Sequence, residues 1–193
     1  MSEPVHELRP RQALQERVTA AIVEAAARVL AERGEQASMR EVATAAGVDR
    51  ATVYRYFPSR EALLTRVADL AVADAGERLA SARIGEVAPD EGVTRAVRAL
   101  ADVGEPFVVL ARDRVRSDRR QFDDAVAEPL RQLFQGGQAA GAFRADISTS
   151  WLVETFLALI ASVIAASPNL GREDTVAVIT SLFLDGARVR EPD

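Results

Sequence analysis

The 193-residue chain contains no cysteine and no lysine, and its only histidine is His6. Without cysteine, disulfides, thiolate nucleophiles, iron–sulfur clusters and thiolate zinc sites are excluded. Because the one histidine lies between two prolines near the N-terminus, the common histidine-based catalytic and metal-binding arrangements are also missing. We therefore predict a protein that is not an enzyme and that requires no metal or cofactor.

A general excess of positive charge is also missing. The formal net charge is −5, which argues against a protein that binds polyanions over its whole surface. Residues 1–66 nevertheless contain ten arginines against nine acids (net +1), whereas the remainder contains 14 arginines against 20 acids (net −6). Any contact with nucleic acid is therefore expected to be local and to lie in the N-terminal third.

The chain lacks a long uninterrupted apolar run. Its longest apolar stretch, residues 151–166, is interrupted by Glu154 and followed by Ser167 and Pro168, and it is shorter than the about 20 residues of a typical membrane-spanning helix. The first twelve residues, "MSEPVHELRPRQ", lack the apolar segment of a secretory signal and resemble a loose tail. We predict a cytoplasmic protein without a membrane contact and with a flexible tail over residues 1–12.

Strand-like alternation is absent, and helical periodicity predicts an all-α chain of about nine helices. The segment "SMRE" from Ser38 to Glu41 is a capping box that starts a short helix, and Gly47 supplies the positive φ angle that ends it. Asp49 then caps a second short helix. Two short helices joined through a glycine-containing turn are typical of a helix-turn-helix motif.

The second short helix belongs to the stretch "AGVDRATVYRYFPSREALL", residues 46–64, which contains both tyrosines of the chain. Val53 is predicted to face inward and Phe57 to close the small core, which leaves arginines, hydroxyl groups and one alanine facing outward. An outward face of this kind suits the major groove of DNA. The alternative is that Tyr54 and Tyr56 merely cover the core while the arginines are solvated.

The stretch from about Val18 to Leu64 resembles the N-terminal DNA-binding domain of the TetR family of bacterial transcriptional regulators. The glycine turn, the sequence "YRYF" and the following "SREALL" carry this resemblance. It implies a three-helix helix-turn-helix DNA-binding domain at residues 13–58, followed by an α-helical bundle for effector binding and dimerisation at residues 59–193. Asp49 and Ala51 depart from the serine and glycine common in the family, and Arg60 replaces the usual lysine.

The resemblance also implies which residues contact DNA. In the second short helix, the arginines, Ala51 and Thr52 match groove-facing positions, and the tyrosines match phosphate-contacting ones. The first turn of the preceding helix is expected to meet phosphate or the groove edge, and the start of the fourth helix is expected to meet phosphate. The predicted DNA-binding residues are Ser38, Met39, Arg40, Arg50, Ala51, Thr52, Tyr54, Arg55, Tyr56 and Arg60.

The last two predicted helices are apolar enough to form half of a self-complementary interface, and in the family such helices pair two subunits. The predicted dimer interface consists of Leu152, Phe156, Val163, Val176, Ile179 and Phe183. An effector pocket is expected within the bundle, lined by Phe107, Arg112, Phe122, Phe134, Trp151, Glu154 and Phe156. A monomer with an internal apolar helix is the alternative.

The resulting hypothesis is a homodimeric transcriptional regulator that binds double-stranded DNA at a palindromic operator and is released by a small-molecule effector, which makes it a repressor. The alternative is a helical protein-interaction or small-molecule-binding module without DNA binding. DNA binding would account for the outward arginines and tyrosines at residues 50–56, and the alternative leaves them unexplained.

Overall fold

The structure, a computed structural model, describes residues 8–112, 119–166 and 171–189. Its helices are α1 (Leu8–Arg33), α2 (Met39–Ala46), α3 (Arg50–Tyr56), α4 (Arg60–Ala82), α5 (Pro89–Ala101), α6 (Glu105–Arg112), α7 (Arg119–Phe122), α8 (Glu128–Ala139), α9 (Thr149–Ala166) and α10 (Arg172–Ala187). A π-helical turn, Asp123–Ala127, joins α7 and α8 into one continuous stretch. With that stretch counted once, the described residues hold nine helices, and the predicted all-α fold is confirmed.

The π-helical turn follows from a proline. Pro129 has no N–H to donate to the carbonyl of Ala125, so the regular four-residue bond cannot form there. Instead, the N–H of Glu128 donates to the carbonyl of Asp123, five residues earlier. The helical stretch therefore continues past the proline by widening one turn rather than by ending.

The predicted tail over residues 1–12 is partly wrong, because α1 already begins at Leu8. Pro10 is the third residue of this helix, where the amide groups of the first turn have no partner within the helix and a missing N–H costs nothing. The first seven residues, including His6, lie outside the described part of the chain.

Two separate apolar cores organise the described residues. The first joins α1, α2 and α3 to the first two turns of α4, and it includes Ile22, Val42, Val53 and Leu63. The second joins the rest of α4 to α5, α8, α9 and α10. The predicted domain boundary after residue 58 therefore does not separate the two cores, because α4 contributes to both of them.

The helix α6 also contributes to both cores. Phe107 packs in the second core and Val109, two residues later, packs in the first, and each is at most 2% exposed. Residues two apart on a helix point in widely different directions, so a single short helix can enter both cores. The two parts of the protein are thus joined through α4 and α6.

The apolar helix α9 has the length and the mean hydropathy (1.7) of a minimal membrane span. Only 28% of its residues are buried inside the protein. One face packs into the second core through Leu152, Val153, Phe156, Ile160 and Ala161. The opposite face carries Trp151, Thr155, Ala158 and Ser162, which are exposed. This helix therefore has one face committed to the protein core and one that is still uncovered.

A close approach within the second core requires a glycine at position 137. A methyl group added to Gly137 would overlap the ring of Phe143, which is 1% exposed and cannot move aside, whereas a methyl group on Gly136 would meet nothing within 4 Å. The carbonyl of Gly137 also accepts bonds from the amides of Ala142 and Phe143. The absence of a side chain at Gly137 therefore lets the ring of Phe143 lie directly against α8.

We predict that Gly137→Ala lowers the free energy of unfolding by about 1–3 kcal/mol, because overpacking of a rigid buried ring costs that much. The matched variant Gly136→Ala should be neutral or more stable by about 0.5–1 kcal/mol, since it gains only helix propensity. Urea unfolding followed by circular dichroism measures both. Equal effects of the two substitutions would contradict the packing of Phe143 against α8.

Candidate DNA-binding surface

The capping box and the glycine turn form as the sequence predicts. The amide of Glu41 donates to Oγ of Ser38 at 3.2 Å, and the amide of Ser38 donates to Oε2 of Glu41 at 2.9 Å. Gly47 has a φ angle of +68°, and Asp49 Oδ1 accepts the amide of Thr52 at 2.7 Å. These contacts set the ends of α2 and α3 and therefore the angle at which the two helices meet.

Val53 is the only buried residue of α3, and its exposed fraction is zero. Phe57, at 6% exposure, closes the same core just beyond the helix. Arg50, Ala51 and Arg55 are exposed, which confirms the predicted orientation of the helix. Tyr54 is also exposed, whereas Tyr56 is partly buried against the first core. The arginines and Tyr54 thus form the outward face of the second helix of the motif.

Each tyrosine of α3 pairs with an arginine. The guanidinium carbon of Arg50 lies 5.2 Å from the ring centre of Tyr54, and that of Arg55 lies 5.3 Å from the ring centre of Tyr56. Nη2 of Arg50 also lies 3.4 Å from the hydroxyl of Tyr54, which is 38% exposed. Stacking of this kind restricts the arginine side chains.

Thr52 and Ser38 are already engaged within the motif. The hydroxyl of Thr52 donates to Oδ2 of Asp49 at 3.0 Å, and the hydroxyl of Ser38 donates to Oε2 of Glu41 at 2.8 Å. A hydroxyl has one hydrogen to donate. In this arrangement neither residue has a free hydroxyl hydrogen to donate to DNA. Thr52 can still contact DNA through its methyl group, and Ser38 lies at the start of α2.

The prediction that Met39 contacts DNA is wrong for its side chain. It is 7% exposed and packs in the first core with Val42 and Ala43. The first residue of α2 points inward because the helix lays its apolar side on α1, and only its backbone amide remains at the helix start. Arg40, the next residue, is exposed.

Arg60 is predicted to contact phosphate, but its guanidinium group is bound to the protein backbone instead. Its Nη2 donates to the carbonyl of Gly34 at 3.0 Å, and its Nε donates to the carbonyl of Ala37 at 3.3 Å. Both acceptors lie in the turn between α1 and α2, and the side chain is partly buried. The guanidinium therefore holds this turn against the start of α4.

Two carboxylates of the motif are stabilised in their charged form. The backbone and hydroxyl bonds from Ser38 lower the pKa of Glu41, and the corresponding bonds from Thr52, with a smaller effect of the charge on Arg55, lower the pKa of Asp49. Hydrogen bonds to a carboxylate favour its ionised state. The caps of α2 and α3 are consequently strongest at neutral pH.

The predicted pocket residues are divided between the interior and the surface. Phe107, Phe134 and Phe156 are at most 1% exposed, and the ring centres of Phe134 and Phe156 lie 5.5 Å apart. Phe122 is partly buried against the same core. These four residues pack in or against the second core, and their role in an effector pocket stays a prediction.

The prediction that Trp151 and Glu154 line the pocket is wrong, because both lie on the outer face of α9. Trp151 is 65% exposed, and the helix period places it opposite the residues that enter the core. Arg112 ends α6, and its side chain lies outside the described part of the chain. The surface clefts between α4 and α5, α5 and α10, α4 and α8, and α1 and α4 are lined by none of the predicted pocket residues.

The predicted dimer-interface residues are mostly wrong, because five of the six are buried inside the protomer. Leu152, Phe156, Val176, Ile179 and Phe183 are at most 4% exposed, and the rings of Phe156 and Phe183 pack with their centres 4.8 Å apart. A side chain enclosed by its own chain cannot meet a partner. Val163 is partly buried at the edge of the same core.

The exposed apolar side chains on α9 and α10 are different ones. They are Trp151 at 65%, Val178 at 40%, Leu182 at 57% and, just beyond α10, Val189 at 52%. On α10 they occupy positions one residue away from the buried Ile179 and Phe183. The buried and the exposed apolar residues differ only in the direction in which they point from the helix. The hydrophobicity of the residues alone does not predict that direction.

Comparison with known proteins decides the family. Residues 22–67 match the family model of the bacterial regulatory proteins of the tetR family. The helix-turn-helix-type transcriptional repressor LfrR of Mycolicibacterium smegmatis is 32% identical over 182 residues, which cover 86% of this chain and 89% of LfrR. The chain belongs to the TetR family. It is therefore a DNA-binding transcriptional regulator rather than an enzyme, as predicted.

Two further similarities agree with membership of the TetR family. The helix-turn-helix-type transcriptional regulator NfxB of Pseudomonas aeruginosa is 26% identical over 164 residues, covering 79% of this chain and 85% of NfxB. The crystal structure of LfrR in complex with proflavine has a TM-score of 0.65 at 26% identity, covering 91% of this chain and 99% of that one. The similarity thus extends over both parts of this TetR-family chain.

We predict that the helix-turn-helix motif loses stability at acid pH. Because the pKa values of Glu41 and Asp49 are lowered by folding, their contribution is present above the ordinary carboxyl pKa of about 4 and is lost as the pH falls through the folded-state values. The double variant Glu41→Gln, Asp49→Asn keeps both caps but cannot titrate, so its stability should fall less steeply below about pH 4. Urea unfolding between pH 3 and 7 measures this, and identical acid profiles would contradict it.

Proposed function

We propose that this TetR-family regulator is a cytoplasmic repressor that binds a palindromic operator as a homodimer and leaves it when a small-molecule effector binds the bundle. The observation that carries the proposal is the outward face of α3, where Val53 is enclosed and Arg50, Tyr54 and Arg55 are exposed. This face is presented by the second helix of the motif, which is the helix that enters the major groove in helix-turn-helix proteins.

Each residue of the face has a chemical partner on DNA. Arg50 and Arg55 pair with guanine edges, and Ala51 with the methyl group of Thr52 contacts thymine methyl groups. Tyr54, Tyr56 and Arg40 donate to phosphate oxygens, and the first turn of α2 offers the backbone amides of Met39 and Arg40, which the capping box leaves unused. Because Arg50 and Arg55 already stack on tyrosine rings, less side-chain entropy is lost when they bind.

A homodimer would cover the uncovered faces of α9 and α10. On α9 that face combines Trp151 with the small residues Ala158 and Ser162, and on α10 it includes Val178 and Leu182. Apolar and small side chains on two neighbouring helices allow close packing against the same two helices of a second copy. A protein surface of this kind also accounts for the membrane-like composition of α9.

The effector is proposed to enter the second core beside the buried phenylalanine rings. Phe134 and Phe156 are fully buried and pack edge to face, so a molecule that enters beside them is proposed to be apolar and predominantly aromatic. LfrR, the relative with 32% identity, has been crystallised with proflavine. A planar aromatic ligand is therefore the first class to test on this chain.

The DNA contacts can be tested with duplexes selected from the host genome by the purified protein. Arg50→Ala and Arg55→Ala should each relax the preference at particular base pairs by about 1–3 kcal/mol, whereas Tyr54→Phe should weaken binding to all duplexes alike. Fluorescence anisotropy over a series of salt concentrations measures these effects. Arg28→Ala, an exposed arginine of α1, is the control and should leave the base preference unchanged.

Binding by the wild-type protein should weaken steeply with salt, because each phosphate contact releases bound counterions. Selected duplexes should contain two inverted half-sites about 34–36 Å apart, or a multiple of that distance. Failure of the wild-type protein to bind any duplex at low salt would overturn the proposal.

The dimer face can be tested by placing a charge on it. Leu182→Asp should convert the dimer to a monomer, because an exposed leucine can be replaced without harm to the protomer while a buried interfacial charge is costly. Leu14→Asp on α1, where the leucine is 64% exposed, is the matched control and should remain dimeric. Sedimentation velocity distinguishes the two, and a dimeric Leu182→Asp would place the interface elsewhere.

A further inference from the structure

The turn between α1 and α2 is held by a residue from outside the two helices. Gly34, with a φ angle of +56°, ends α1, a 3₁₀ turn (Gly34–Gln36) follows, and α2 starts after Ser38. Within the turn, the amide of Ala37 donates to the carbonyl of Gly34 at 3.2 Å. Arg60 donates to two carbonyls of this turn, that of Gly34 at 3.0 Å and that of Ala37 at 3.3 Å.

Two carbonyls three residues apart require a donor with two separated N–H groups. The guanidinium group has such a fork and is charged at every relevant pH, whereas an ammonium group is a single point donor. Gly34 directly follows α1, and the negative end of that helix dipole favours a cation beside its carbonyl. An arginine at position 60 can therefore span both acceptors, and a lysine there could not.

The clamped turn directly precedes the groups that are proposed to meet phosphate. Ser38 follows Ala37, and Arg40 lies in the first turn of α2. Arg60 itself follows Ser59, the cap of α4, and stands four residues beyond Tyr56 of α3. One guanidinium thus connects the start of α2 to the segment that leaves α3.

We infer that Arg60 is a positioning residue for DNA binding, which sets the start of α2 relative to α3, and that it is not a phosphate contact. The inference rests on the proposed DNA-binding surface. Because α4 continues into the second core, the clamp also makes the start of α2 follow any displacement of α4. A residue that contacts phosphate and a residue that positions another contact differ in their salt dependence.

The test compares Arg60→Ala with Arg40→Ala on a duplex selected by the wild-type protein. Arg60→Ala should lower the affinity by about five- to twentyfold, as expected for the loss of two hydrogen bonds, with an unchanged slope of log K against log salt. Arg40→Ala should reduce that slope by about one. Arg60→Lys should fall between the wild type and Arg60→Ala in affinity, because its compact ammonium group can serve only one of the two carbonyls.

Hydrogen exchange supplies a second readout that does not depend on DNA. In Arg60→Ala, peptides covering residues 34–43 should exchange faster than in the wild type, whereas Arg40→Ala should leave them unchanged. Leu63→Ala, at a residue that is 1% exposed in the first core, controls for general destabilisation. It should speed exchange throughout the first core and leave the affinity of the folded fraction unaltered.

The outcomes separate the inference from the proposed function. A reduced salt slope in Arg60→Ala with unchanged exchange would show that Arg60 contacts phosphate, and it would overturn the inference while DNA binding stands. Unchanged affinity in Arg60→Ala would also overturn it. If the wild-type protein binds no duplex, the proposed function fails, and unchanged exchange at residues 34–43 would then refute the clamp independently.

Discussion

The burial of Val53 between α3 and its neighbours is the contact on which the DNA-binding part depends. A helix of seven residues is too short to be stable alone in water, so α3 exists because this valine, fully enclosed, and Phe57 fix it to the first core. The same contact determines which side chains face outward. Arg50 and Arg55 face solvent because Val53 and the partly buried Tyr56, three residues apart, occupy the side of α3 that meets the core.

The first core is not independent of the bundle. The helix α4 enters both cores, and α6 contributes Phe107 to one and Val109 to the other. Closely packed side chains transmit displacement rather than absorb it. A rearrangement of the bundle that moves either helix therefore acts on the packing beneath α3. This arrangement provides a physical route between the proposed effector site and the DNA-binding face, with Arg60 connecting the start of α4 to the turn before α2.

Much of the motif was predictable because its determinants are local. The cap at Asp49, the capping box at Ser38, the positive φ angle at Gly47 and the inward direction of Val53 each depend on residues within about four positions. Local hydrogen bonds of this kind are specified by residue type and spacing. The departures in the motif, at Met39 and Arg60, involve partners that are distant in the sequence, and local spacing does not reveal such partners.

In the bundle the sequence alone determined that there are helices and that α9 and α10 are apolar on more than one side. Which side is enclosed was decided only by tertiary packing. Ile179 and Leu182 are equally apolar and three residues apart, yet one is fully buried and the other is 57% exposed. Their chemistry is the same, and the difference arises because the phase of a helix is set by the neighbours against which it packs. Residue types specified the DNA-binding motif, whereas the division between protomer core and uncovered face required the fold.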